Sequence, residues 1–212
     1  MADQPHFKNV TISGLPGSGS TTLLNALREH PDLKFIGWTG FSGGQYMREY
    51  AKDKGLLDAS GDLHHSANAY GEEFDREVDL SQRKRLQEEK HWILESWLSG
   101  FFAQGVPGVL KILVMCSNTA VRVDRIVNRD GVTADEALEN MNYRHHSNLA
   151  KWRKMYKPEW EEWVVKAGTL PPTAPIDFWV PELYDIVIDT YSTNRVETLD
   201  IVLNAINTGK TP

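Results

Sequence analysis

Apolar and polar residues change spacing repeatedly along this chain. Five short apolar runs, Val10–Ser13, Lys34–Ile36, Trp92–Glu95, Leu110–Cys116 and Asp185–Asp189, do not alternate with polar residues. Strands buried on both faces give that pattern, as in a parallel sheet. Between the runs the apolar positions follow a helical period. Thr21–Glu29 comes directly after the first run, and Gln45–Lys54 gathers Tyr46, Met47, Tyr50 and Ala51 on one side. Asp75–Glu89 is long, charged and weakly amphipathic. Thr119–Arg129 turns Val123, Ile126 and Val127 inward, and Gly131 is placed to end it. Thr133–Glu136 reads as a capping box opening a helix that runs to Met155. A last helix carries Val196, Leu199, Leu203 and Ile206 on one stripe. Pro158–Pro181 holds Trp160, Trp163, Trp179, Pro171, Pro172 and Pro175, and predicts a short helix followed by a proline-rich loop. Strands alternating with helices predict a three-layer α/β fold with right-handed crossovers.

Composition narrows the function. The 212 residues suit one domain, 41% hydrophobic and 25% charged. The single cysteine, Cys116, excludes an intramolecular disulfide framework and a Cys-based zinc cluster. It is expected to be a small core residue in a cytoplasmic protein. A net charge of −6 argues against a broad nucleic-acid footprint. No apolar run approaches the ~20 residues of a membrane span, and Met1–Asn9 lacks a basic-then-apolar leader pattern. The expected partner is a small molecule, and the expected state a monomer or weak homodimer.

The strongest motif is Gly14-Leu-Pro-Gly-Ser-Gly-Ser-Thr21, which follows a predicted strand and opens a predicted helix. Gly14, Gly17 and Gly19 let backbone N–H groups face inward and, with the helix N-terminus, make an anion nest. The candidate phosphate-binding set is Gly14, Pro16, Gly17, Ser18, Gly19, Ser20, Thr21 and Thr22, with the Thr21 hydroxyl placed to hold Mg²⁺. Ser20 stands where such loops carry lysine. A charge-assisted bond contributes about 1.5–3 kcal/mol, so another cation is expected to substitute, or transfer is slow. Arg122, Arg125 and Arg129 share a helix face, which would otherwise be solvated, and Arg144 lies on the next helix.

These segments together resemble the cytidylate kinases, especially the short archaeal-type branch of the nucleoside monophosphate kinases. Beyond the glycine loop, the resemblance is carried by Gly44-Gln-Tyr-Met-Arg48-Glu, Asp75-Arg-Glu-Val-Asp79 and Glu95-Ser-Trp-Leu-Ser-Gly100. Arg122-Val-Asp-Arg-Ile, Arg129-Asp-Gly131 and Tyr184-Asp-Ile-Val-Ile-Asp-Thr190 extend it. It implies a P-loop kinase fold with a five-stranded parallel sheet and a helical lid, here about 122–156. It also implies phosphoryl transfer from Mg·ATP to CMP or dCMP. By the same resemblance Arg48 would hold the acceptor phosphate and Asp75 would lie near the base or that phosphate. Glu95 would orient water on Mg²⁺, and Arg125 and Arg129 would approach the transferring phosphate when the lid closes, with Arg122 and Arg144 as further candidate cations. The chain departs from the pattern at Ser20, at Trp97 in place of an arginine, at Ser96 in place of a glycine, and at Lys151-Trp152 in place of Arg-Tyr. His145-His146-Ser147-Asn148 replaces acidic residues, and 158–181 has the look of an insertion.

Two other functions stay open. The loop followed by His30-Pro31 also resembles the opening of sulfotransferases over about 20 residues. The missing cations would equally suit a catalytically weak nucleotide-binding or regulatory protein on the kinase fold. Other residues have plainer expected roles. His64-His65 and His145-His146 suit the surface or helix caps, and Asp75 and Asp79 a solvated helix face. Trp160 and Trp163 are expected to pack the insertion, and Asp189 to cap a turn.

Overall fold

Asn9–Gly14, six consecutive buried residues, form β1 at the centre of the sheet. The structure is a computed structural model that describes residues 5–53 and 71–211. β1 pairs in parallel with β3 (Trp92–Glu95) on one side and β4 (Val109–Met115) on the other. Beyond them lie β2 (Thr39–Ser42) and β5 (Ile186–Asp189), both parallel, giving the order β2-β3-β1-β4-β5. The register sets Ile12 beside Glu95 and Gly14 beside Val114. The strand ends that carry the glycine loop and Glu95 therefore meet at one edge, where open α/β sheets bind ligands.

The helices are α1 (Ser20–Glu29), α2 (Pro31–Phe35), α3 (Gly43–Asp53), α4 (Glu72–Glu88) and α5 (Ser99–Phe102), followed by α6 (Thr119–Asp130), α7 (Ala134–Met155), α8 (Lys157–Trp160) and α9 (Arg195–Thr208). Leu23, Leu24 and Leu27 of α1 and Val202, Ala205 and Ile206 of α9 seal one sheet face over Val10, Ile12 and Ile112. The other face is aromatic, with Phe101, Phe102, Tyr156, Trp160 and Phe178 around Leu113. Each large side chain so buried contributes about 1.5–3 kcal/mol. The close approach of α5 depends on Gly100, whose added Cβ would lie 2.3 Å from the Tyr184 ring. Buried Asn9 is fully engaged: its Nδ2 donates to the carbonyls of Leu86 and Glu89, and its Oδ1 accepts from the Trp92 N–H. It ties α4 to the sheet without an unpaired polar group.

Several expected elements stand as read. The Thr133 capping box opens α7, and Gly131 ends α6 at φ +71°. Two do not. Lys34–Ile36 is not a strand; Pro31 begins a helical turn there, and Phe35 is 87% exposed. The second strand is Thr39–Ser42, whose edge position leaves it only partly covered and so weakly apolar. In α9 the buried stripe is Thr198, Val202, Ala205 and Ile206, while Val196 is 67% exposed in the first turn. The 158–181 segment runs from α8 into a single π-helical stretch at Glu161–Val165 and then turns. Trp160 and Trp163 pack on Phe101, so they belong to the main aromatic core. Cys116 is buried, and Asp189 accepts from the Ser117 and Tyr191 N–H groups in a turn. Among the described residues no helix is long and apolar enough to cross a membrane.

Candidate active site

A cavity of about 1250 Å³ opens at the carboxyl ends of β1 and β3. Its first wall is the glycine loop. Gly17 and Gly19 adopt φ +79° and +99°, a left-handed geometry that glycine takes without strain. A Cβ on Gly17 would sit 2.8 Å from the Arg122 carbonyl, and one on Gly14 2.8 Å from that of Val114. Gly19 is the N-cap of α1 and supplies no side-chain cap. The first N–H groups of α1 therefore meet the cavity as an anion nest. Gly14, Pro16, Gly17, Gly19, Ser20, Thr21 and Thr22 line this wall. Ser18 lies behind it, its hydroxyl buried without a partner.

Glu95 ends β3 in the same wall and is buried. Ser20 and Thr21 donate hydroxyls to its Oε1 at 2.8 and 3.3 Å, and Ser42 to its Oε2 at 2.7 Å. The residue in the lysine position thus fixes the carboxylate by a charge-assisted bond. Ser42 was not anticipated; only the β2–β3 register brings it to Glu95. The donor set suits Mg²⁺, which takes one or two carboxylates or hydroxyls and leaves the rest of its sphere to water and phosphate oxygens. Among the described residues no cluster of three or more His, Cys, Asp or Glu forms an all-protein cage.

Two of the α6 arginines, Arg122 and Arg125, leave the solvated face for the glycine loop, while the Arg129 side chain is 56% exposed. Arg122 donates from Nε and Nη2 to the Pro16 carbonyl at 3.2 and 3.1 Å. Arg125 donates to the Gly17 carbonyl at 3.0 Å and to Thr190 Oγ1 and O at 2.8 and 3.0 Å. The Thr190 hydroxyl in turn donates to the Ser18 carbonyl at 2.7 Å. Both arginines hold the loop's backbone. Arg125 also lines the cavity, whereas Arg122 does not. Arg129 lines it while paired with Asp130 at 2.6 Å, which holds its guanidinium pKa above the ordinary value.

The second wall carries Arg48, Arg144, Trp97 and Trp152, with Asp75 and Asp79 from α4. Asp75 and Asp79 are not on a solvated face. Asp75 pairs with Lys151, and burial still raises its pKa against that partner. Asp79 accepts from the Tyr156 hydroxyl at 2.7 Å; burial pushes its pKa up to about 7, opposed by that hydrogen bond and aided by Asp75. The guanidinium of Arg144 is held below its usual pKa by burial and by neighbouring Arg129 and Arg48. His145 is half-buried, its ring centroid 5.2 Å from that of Trp179. His146 is exposed, with Nδ1 2.7 Å from the Asn142 carbonyl. His64 and His65 lie outside the described residues.

The family model described as AAA domain matches residues 10–144. A cytidylate kinase of Methanosarcina acetivorans is 32% identical over 202 residues, covering 93% of this chain and 96% of the relative. The cytidylate kinase of Methanosarcina barkeri is 33% identical with the same coverage, and that of Methanopyrus kandleri is 30% identical over 207 residues, covering 93% and 92%. Among solved structures, an uncharacterized protein from Eubacterium ventriosum superposes with a TM-score of 0.61 at 15% identity, over 95% of this chain and 99% of that one. A sugar kinase from a Janibacter species gives 0.50 at 14% identity over 97% and 99%. At such identities these two likenesses speak to the fold alone.

Proposed function

The chain belongs to the cytidylate kinase family, and from that premise we propose that it transfers a phosphoryl group from ATP to a nucleoside monophosphate, CMP or dCMP first. One observation carries the proposal. An uncapped helix N-terminus and the Arg48, Arg129 and Arg144 side chains share a single cavity large enough for two nucleotides. Phosphoryl transfer asks for positioning and positive charge rather than a covalent nucleophile.

In this proposal the N–H groups of the Gly14–Thr22 loop hold the donor phosphates. Thr21 and Glu95 would hold Mg²⁺, directly or through water. When bound, the cation neutralises charge on the phosphate oxygens. Arg48 fixes the acceptor phosphate, and Asp75 and Asp79 face the rest of the acceptor. Arg125, Arg129 and Arg144 belong to a lid, about 122–156, that excludes water and brings positive charge to the transferring group. Arg122 supports them by anchoring the loop at Pro16.

Ser20 favours a second function, a nucleotide-binding protein of low turnover, because the loop contributes no cation of its own. ADP release from Mg·ATP, measured with CMP, dCMP, UMP, AMP and GMP each added, separates the two. The kinase proposal expects release that depends on one acceptor, CMP or dCMP. ATP binding with no acceptor-dependent release would overturn it.

A further inference from the structure

Trp97 follows Glu95 by two residues and is held from several sides. Trp179 Nε1 donates to its carbonyl at 2.9 Å. The Trp152 and Trp179 rings meet its ring edge-on at centroid distances of 5.5 and 6.2 Å. An indole so enclosed has little freedom to swing. Its face is used: the Arg144 guanidinium carbon lies 5.4 Å from the ring centroid. That is within the range at which an aromatic quadrupole attracts a cation.

Arg144 needs such a partner. It lies near Arg48 and Arg129, both of which disfavour its charge, and among the described residues it makes no ion pair. Asp130, the nearest favourable charge, is bonded to Arg129. Next along α7, His145 packs on Trp179, and Trp152 two turns later packs on both Trp97 and Trp179. One face of α7 is thus docked on a tryptophan platform, one member of which comes from the 158–181 segment.

We propose that Trp97 is a positioning residue: its indole face holds Arg144 towards an anionic phosphate chain in the cavity, with Trp179 fixing the indole from behind. A cation delivered from α7 then stands near the position where the related motif has an arginine of its own. The segment 158–181 acquires a task, since Trp179 supplies the hydrogen bond that sets the Trp97 main chain. The proposal rests on the phosphoryl-transfer reading only for the identity of the anion.

The test is a double-mutant cycle on the binding of inorganic tripolyphosphate to the full chain, followed by calorimetry without nucleotide or turnover. Arg144→Ala is expected to weaken binding by about 10–100-fold, and Trp97→Leu by about 3–30-fold. Trp97→Leu in the Arg144→Ala background is expected to add less than about twofold, because the indole then has no cation to hold. Trp97→Phe, which keeps a ring face, should recover most of the affinity lost in Trp97→Leu and guards against a fold defect. Tripolyphosphate affinity unchanged in Trp97→Leu, or losses that multiply in the double variant, would overturn the proposal. So would a loss confined to CMP affinity, which would make Trp97 a base-stacking platform. If the cycle couples as expected but no acceptor supports ADP release, the positioning role stands and the kinase proposal falls.

Discussion

The two walls of the cavity are built from different materials. The loop wall recruits backbone: its left-handed glycines and uncapped helix start present N–H groups, and its side chains are small hydroxyls gathered on Glu95. The opposite wall recruits large side chains, two arginines and two tryptophans, with a pair of aspartates beneath. Backbone chemistry survives substitution of its side chains, so the loop keeps its nest although Ser20 replaces a lysine. Side-chain chemistry does not survive in the same way. Where Trp97 stands in place of a cation, the charge reaches the cavity from another helix. In the kinase proposal, one wall serves the phosphates by geometry and the other by rearrangement.

The largest expected effect breaks the backbone wall. Gly17→Val places a branched side chain at φ +79° with its Cβ 2.8 Å from a backbone carbonyl. ATP affinity, read by calorimetry, should fall by at least about 100-fold; a fall below tenfold would mean that the loop geometry is not what holds the donor. Next, Arg129→Ala should lower kcat by about 100-fold while leaving ATP affinity nearly unchanged. Steady-state kinetics beside a binding isotherm would check it, and an equal loss in both would place Arg129 in ground-state binding.

Ser20→Ala removes one of three hydroxyls on Glu95. It should cost about 1.5–3 kcal/mol of stability and raise the Mg²⁺ concentration for half-maximal ATP binding. An unchanged Mg²⁺ dependence would detach Glu95 from the metal. The smallest effect sharpens the second wall. Asp79 has its folded pKa raised from 3.8 to about 7, so its contribution to stability is complete below the unfolded value. It is lost as pH rises through about 7. Asp79→Asn should match wild type near pH 4 and be more stable at pH 8, with thermal melts at both pH values as the check. Equal melting temperatures at pH 8 would show that the Asp79 carboxylate is charged at no cost.

Four of the five strands and the capping box of α7 were legible because each is local: a continuous apolar run, or two residues three apart. β2 was not. At the sheet edge, Thr39–Ser42 needs little apolar character, whereas Phe35 in the more apolar run before it faces solvent. The glycine loop was legible for the same local reason. Arg48, Asp75, Glu95, Arg125, Arg129 and Arg144, expected from the resemblance, do line the cavity, but the contacts that build the rest of the site were not legible, because its partners meet across the chain. Asp79 and Tyr156 are 77 residues apart, and Trp97 and Trp179 are 82 apart. The alternating charges around Asp79 carried no hint that one carboxylate turns inward. The departures from the family pattern were legible one by one, but that Trp97 and Arg144 answer each other is visible only in three dimensions.

Arg122 and Arg125 grip the carbonyls of Pro16 and Gly17 from α6. That grip ties two clocks together. In the kinase proposal, a swing of α6 has to break those bonds or drag the loop, so the time a nucleotide stays on the loop and the time α6 takes to move become one quantity. Weakening the grip would separate them, leaving a helix that moves faster than the ligand it is meant to release.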